Sequence, residues 1–175
     1  MQERKIDIRK MLLSAMFLAI AIVLPFLTGQ IKELGNALCP MHIPAMLCGF
    51  FCGPWWGALV GFIAPLLRSM LFAMPVIIPS GVAMAFELAC YGLVTGLLYR
   101  KTKWNIYAIL AIAMVLGRIV SIAVRLALYG LGKASFAWAS VFALTFSNSI
   151  PGIIAQLIII PLLVMTINKN KEILN

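Results

Sequence analysis

Long apolar stretches constrain this chain more than any other feature. Residues 11–27, 55–72, 81–99 and 106–131 are each long enough to cross a bilayer, for which about 20 apolar residues suffice. Of the 175 residues, 63% are hydrophobic and 11% charged, whereas soluble domains are roughly half apolar and a quarter charged. A soluble protein of this size has no interior large enough to hide that much apolar surface, so lipid is the solvent for most of it. At about 20 residues per span, about six helices use roughly 120 residues and leave short loops. The expected fold is therefore an all-α integral membrane protein with six transmembrane helices in one domain over residues 11–167. A charged leader occupies 1–10 and a short tail 168–175.

Glycine and proline punctuate the apolar runs. The first helix is expected over 11–27, ending near Pro25, with no cleavable signal peptide. Loop 28–41 contains Gly29, Gly35, Asn36 and Pro40. A short second helix fits 42–52, and Gly53-Pro54 turns the chain into a third helix over 55–72. Loop 73–80 holds two prolines, and a fourth helix follows over 81–99. After the basic turn 100–105 come a fifth helix over 106–131, a connection over 132–139 and a sixth helix over 140–167, with Pro151-Gly152 as an expected kink.

The formal net charge of +9 would suggest nucleic acid in a soluble protein. Here the basic residues lie at the ends of apolar runs, where they act as topology signals. Arg4, Lys5, Arg9, Lys10, Arg100, Lys101, Lys103, Lys169 and Lys171 fall on one side of a six-helix arrangement, and only Lys32 and Lys133 on the other. The positive-inside rule then puts both termini in the cytosol of a cell whose plasma membrane the chain spans, with loops 28–41 and 73–80 outside. Trp55 and Trp56 fit an interfacial belt; Phe136 and Trp138 fit either a belt or a lid.

Arg68, Glu87, Arg118 and Arg125 remain inside the apolar runs. Each costs about 2.5–3.5 kcal/mol at a helix centre, so each faces protein or water. At a rise of 1.5 Å per residue, Glu87 is about 9 Å from the outer end of its helix. Arg68 and Arg125 are expected at similar depth, Arg118 lies deeper, and its spacing from Arg125 is two turns on one face. Ser147, Asn148 and Ser149 are expected in the outer half of the sixth helix, with Gln156 below them. An ion pair of Glu87 with Arg68 or Arg125 would fix helix packing, but surplus buried cations would remain, at high cost. A small anion gripped by guanidinium relieves that cost. The expected site comprises Arg68, Glu87, Arg118, Arg125, Asn148 and Gln156, with His42 and Asn36 beside the outer loop.

Other chemistries find few parts. The chain has no HExxH, GxSxG or intramembrane aspartate pair, so an enzyme is not expected. The segment GLGKAS at 130–135 lacks the first glycine and the hydroxyl residue of a phosphate-binding loop, so ATP is not expected to bind this chain. Cys39, Cys48, Cys52 and Cys90, with one histidine, read as packing residues rather than a metal site.

LGNALCPMHIPAMLCGFFCGPWWGALVGFIAPLLRSMLF at 34–72, followed by PSGVAMAFELACYGLVTGLLY at 79–99, resembles the substrate-specific S components of energy-coupling factor (ECF) vitamin transporters, in the branch that includes pantothenate and folate carriers. The resemblance covers most of 11–167 and includes the AxxxA pair Ala15 and Ala19. It implies capture of a vitamin from outside through the fourth to sixth helices and the two outer loops. It also implies partners: a transmembrane coupling protein, met by the Ala15/Ala19 face, and two cytosolic ATPases that use ATP while the S component topples. Pantothenate, with one carboxylate, an amide and hydroxyls, suits these residues best. Folate, a queuosine precursor or cobalamin are alternative cargoes, and a non-transporting membrane adaptor is the alternative of another class.

Overall fold

The computed structural model describes residues 7–28, 40–131 and 150–173. Its helices are α1 (Ile8–Val23), α2 (His42–Cys52), α3 (Pro54–Phe72), α4 (Val82–Lys101), α5 (Ile106–Leu131) and α6 (Ile150–Ile173). A 3-10 turn over Leu24–Thr28 ends the first helix, and a π turn over Ile77–Gly81 leads into α4. By length and composition, Ile8–Phe26, Pro54–Phe72, Ile77–Lys101 and Ile106–Leu128 are each able to cross a membrane. His42–Cys52 and Gly152–Ile167 are shorter apolar helices.

The limits of α2 and α5 coincide with the expected ones, and Pro54 takes the first position of α3, where its missing N–H costs nothing. α1 begins at Ile8 rather than Met11, so helix enters the expected leader; Lys10 pairs with Asp7 at 2.7 Å at its start. α4 continues through Lys101, which shortens the basic turn, because Arg100 and Lys101 complement the negative end of the helix. Loop 73–80, expected to be stiff from its two prolines, is tied to the flanking helices: the Ser69 hydroxyl donates to the Pro75 carbonyl at 2.7 Å, and the Gly81 N–H to that of Val76 at 2.8 Å. Residues 132–149, and with them the start expected for the sixth helix, lie outside the described residues; Pro151 and Gly152 fall in the first described turn of α6.

α4 is the central element, packed against α2, α3 and α5. Glycine makes the α2–α3–α4 junction possible. A Cβ on Gly57 would lie 2.6 Å from Gly49 Cα and 2.7 Å from the Gly92 carbonyl oxygen, and one on Gly92 would collide with the Gly57 backbone. These helices therefore touch backbone to backbone. Thr95, wholly buried there, donates its hydroxyl to the Tyr91 carbonyl at 2.8 Å. At the far end, Arg100 donates from Nη2 to the Cys52 carbonyl at 3.0 Å, closing α2 beside Gly53, whose φ of 107° suits a residue without Cβ.

The remaining apolar surface faces outward. Met11, Leu12, Met16, Ile20 and Val23 on α1 are exposed, as are Val115 and Ile119 on α5 and Ile154, Ile158 and Leu162 on α6. Water-soluble monomers rarely show apolar surface on this scale; a bilayer accommodates it. Cys48 and Cys52 share a face, as their spacing requires, and are buried with Val60; the Cys48 thiol donates to Ser14 Oγ at 3.6 Å.

Candidate functional site

The site is built around Glu87, on the second turn of α4. Its Oε1 accepts a hydrogen bond from the Tyr91 hydroxyl, one turn along the same helix, at 2.8 Å. Arg118 Nε of α5 lies 3.4 Å from the same oxygen, and His42 Nε2, at the first position of α2, lies 3.7 Å away. Glu87, His42, Tyr91 and Arg118 are all more than nine-tenths buried. Three helices thus each contribute a polar side chain to one carboxylate. A buried charge is tolerable when paired and hydrogen-bonded in this way.

Local sequence explains how the groups meet. Glu87 and Tyr91 are four apart and share a helix face. The Tyr91 ring is buried against α5 at Gly117, where a Cβ would overlap the ring carbons Cε1 and Cδ1. That close approach brings the next residue, Arg118, within reach of Glu87. The imidazole of His42 packs beside the tyrosine at a centroid separation of 5.4 Å.

This corrects the expected pairing of Glu87 with Arg68 or Arg125: among the described residues its arginine partner is Arg118. Arg68 does not join the cluster through an ion pair. Its Nη1 donates to the Ile22 carbonyl of α1 at 2.8 Å, and its guanidinium carbon lies 5.2 Å from the ring centroid of Phe26 and 5.6 Å from that of Phe72. Those two rings meet edge to face at 4.9 Å. A carbonyl at the end of a helix and two aromatic faces are neutral partners for a buried cation, so Arg68 needs no anion to be stable there.

Arg125 differs from both. It is half-buried on α5, two turns beyond Arg118, and its Nε is buried with no hydrogen-bond partner among the described residues. Ser121, buried between the two arginines, completes a polar row on that face of α5. Gln156 is buried on α6. Asn36 and Asn148 lie outside the described residues.

The charge pattern of the sequence does not mark Tyr91 or Ser121. The spacing of Tyr91 from Glu87 and of Ser121 from the two arginines was the available sign, but an aromatic or a serine in an apolar helix attracts less notice than a charge. Sequence also left the partner of Arg68 open, because a backbone carbonyl carries no mark in the side-chain pattern.

Apolar helices around a buried polar cluster define a membrane protein, and among the described residues Arg125 Nε is buried without a hydrogen-bond partner. The family model of the ECF transporter substrate-specific component matches residues 9–164; the chain belongs to that family. It is accordingly the substrate-specific subunit of a transporter whose energy-coupling and ATPase subunits are other chains. No curated protein and no solved structure gives a significant match.

Proposed function

We propose that this subunit captures a small vitamin bearing a single carboxylate, pantothenate being the best fit, from outside the cell. The observation that carries the reading is the buried Nε of Arg125, without a hydrogen-bond partner among the described residues, on the same face as Arg118. The Glu87 carboxylate is already engaged by Arg118, Tyr91 and His42. Arg68 is held by Ile22 and two phenylalanines. Among the described residues Arg125 Nε is the buried donor left without an acceptor, and it calls for one anionic acceptor.

In this reading Arg125 grips the carboxylate, and Arg118 and Glu87 meet the amide and hydroxyl groups. Gln156 from α6, and Asn148, Asn36 and His42 at the outer end, complete the binding set. Both termini lie in the cytosol of a plasma-membrane protein spanned six times, as the distribution of basic residues favours. Ala15 and Ala19, both exposed on α1, offer a small-residue face to the coupling protein. The loaded subunit then topples as one body when the partner ATPases hydrolyse ATP. Loop closure over the ligand supplies the differential contact that separates open from closed states.

A thermal-shift screen of the purified chain against pantothenate and other micronutrients tests this. A ligand at 1,000 times its dissociation constant adds about 4 kcal/mol of stability. Pantothenate is expected to raise the melting temperature, and Arg125→Glu to remove the shift. A shift from folate, a queuosine precursor or cobalamin alone would replace the vitamin named here. Normal binding of the natural ligand by Arg125→Glu would end the carboxylate reading, and a chain that binds none of them would favour an adaptor.

A further inference from the structure

The end of the molecule formed by the last turn of α4, residues 102–105 and the first turn of α5 carries a compact group of exposed cations and aromatics. Lys101 and Lys103 are exposed, and Trp104 and Tyr107 are each more than half exposed. Arg100 is different: its guanidinium is committed to the Cys52 carbonyl, which fixes this corner against the α2–α3 junction. Neither lysine forms an ion pair among the described residues, and the sequence contains no acidic residue between Glu87 and Glu172.

Above this group the surface changes character. Ala108, Ala111, Val115 and Ile119 form an exposed apolar row along α5, at helical spacing, that begins beside Tyr107. The two alanines make the start of that row shallow. A ligand matching the whole surface has a negative head at the level of the lysines, a polar neck beside the aromatic rings and a long apolar chain lying along the helix.

A protein partner is the other occupant to consider. α1, which exposes Ala15 and Ala19, packs on α2 and α3, and among the described residues none of its Cα atoms lies within 8 Å of one in α4 or α5. The lysine corner therefore lies on a different side of the bundle from the α1 face. Charge complementarity and the apolar row together favour lipid.

We propose that Lys101, Lys103, Trp104 and Tyr107 form a binding site for an anionic glycerophospholipid, its phosphate on the two lysines and one acyl chain along Ala108, Ala111, Val115 and Ile119. Basic side chains near an anionic membrane surface each favour it by about five-fold, so two lysines give a preference of about 25-fold over a zwitterionic lipid. The site is separate from the Glu87 cluster and independent of which vitamin is bound.

The test incubates the purified full chain with equimolar phosphatidylglycerol and phosphatidylcholine and measures retained lipid by native mass spectrometry. Wild type is expected to retain phosphatidylglycerol about 25-fold over phosphatidylcholine. Lys101→Gln/Lys103→Gln is expected to retain the two equally, and the single Lys103→Gln to fall between. The single variant also serves if the double variant does not fold. Equal retention by wild type, or an unchanged preference in a folded lysine variant, would overturn the proposal. Loss of co-purification with the coupling subunits while the lipid preference persists would assign the corner to a protein partner instead, and would overturn it equally.

Discussion

Arg68, Arg118 and Arg125 lie inside the apolar runs, and their surroundings differ. Arg118 faces a carboxylate, Arg68 a carbonyl and two aromatic rings, and Arg125 Nε has no hydrogen-bond partner among the described residues. Substitution should separate them. Arg68→Gln removes the tie between α1 and α3, so the melting temperature should fall while the affinity for ligand, by titration, changes less than about two-fold; a loss of binding as large as that of Arg125→Glu would restore Arg68 to the ligand site. Tyr91→Phe leaves Glu87 one donor short. A hydrogen bond to a charged group contributes about 1.5–3 kcal/mol, and chemical or thermal unfolding should show a loss of that order, accompanied by weaker ligand binding because the carboxylate is no longer fixed. The depth of these residues was readable from their positions along apolar runs. Their partners were not, since partnership depends on how each helix is turned about its axis. That rotation is set by the contact of Tyr91 with Gly117, two residues on different helices that no linear pattern connects.

At the level of elements, proline and glycine account for most of what sequence reveals. Pro40, Gly53 and Pro54 bracket α2, and its observed limits match those expected; the charged and polar turn before Ile106 does the same for α5. The ends of α1 and α4 are harder to read, because charged residues that look like loop are helical there: Lys10 pairs with Asp7 at the start of α1, and Arg100 and Lys101 make the last turn of α4. Packing among elements rests on glycine. Overpacking a core typically costs about 1–3 kcal/mol, occasionally more, and at Gly57 the obstruction is main chain, which yields little. Gly57→Ala should therefore destabilise by at least about 3 kcal/mol, visible as a large fall in melting temperature. Ala58→Gly, at the neighbouring half-buried position, serves as a comparison that removes a Cβ instead of adding one. Equal effects from the two would show that the backbone contact is not what holds these helices together.

For the molecule as a whole, the described core is gathered around α4, while α1 lies on the flank of α2 and α3 with most of its large side chains facing outward. The family assigns energy coupling to other chains, and the proposal above puts their contact at Ala15 and Ala19, which are exposed on α1. Replacing both by leucine should leave the ligand-induced thermal shift intact and abolish co-purification with the coupling subunit. A variant that assembles normally would move the contact elsewhere on the surface.

The meeting of Gly49, Gly57 and Gly92 has a mechanical consequence. Side chains between helices act as cushions that let neighbours slide; where main chain rests on main chain there is no cushion, and a push on one rod is passed to the next. In the toppling proposed above, such a keyed hub would carry the grip on the cargo round undistorted.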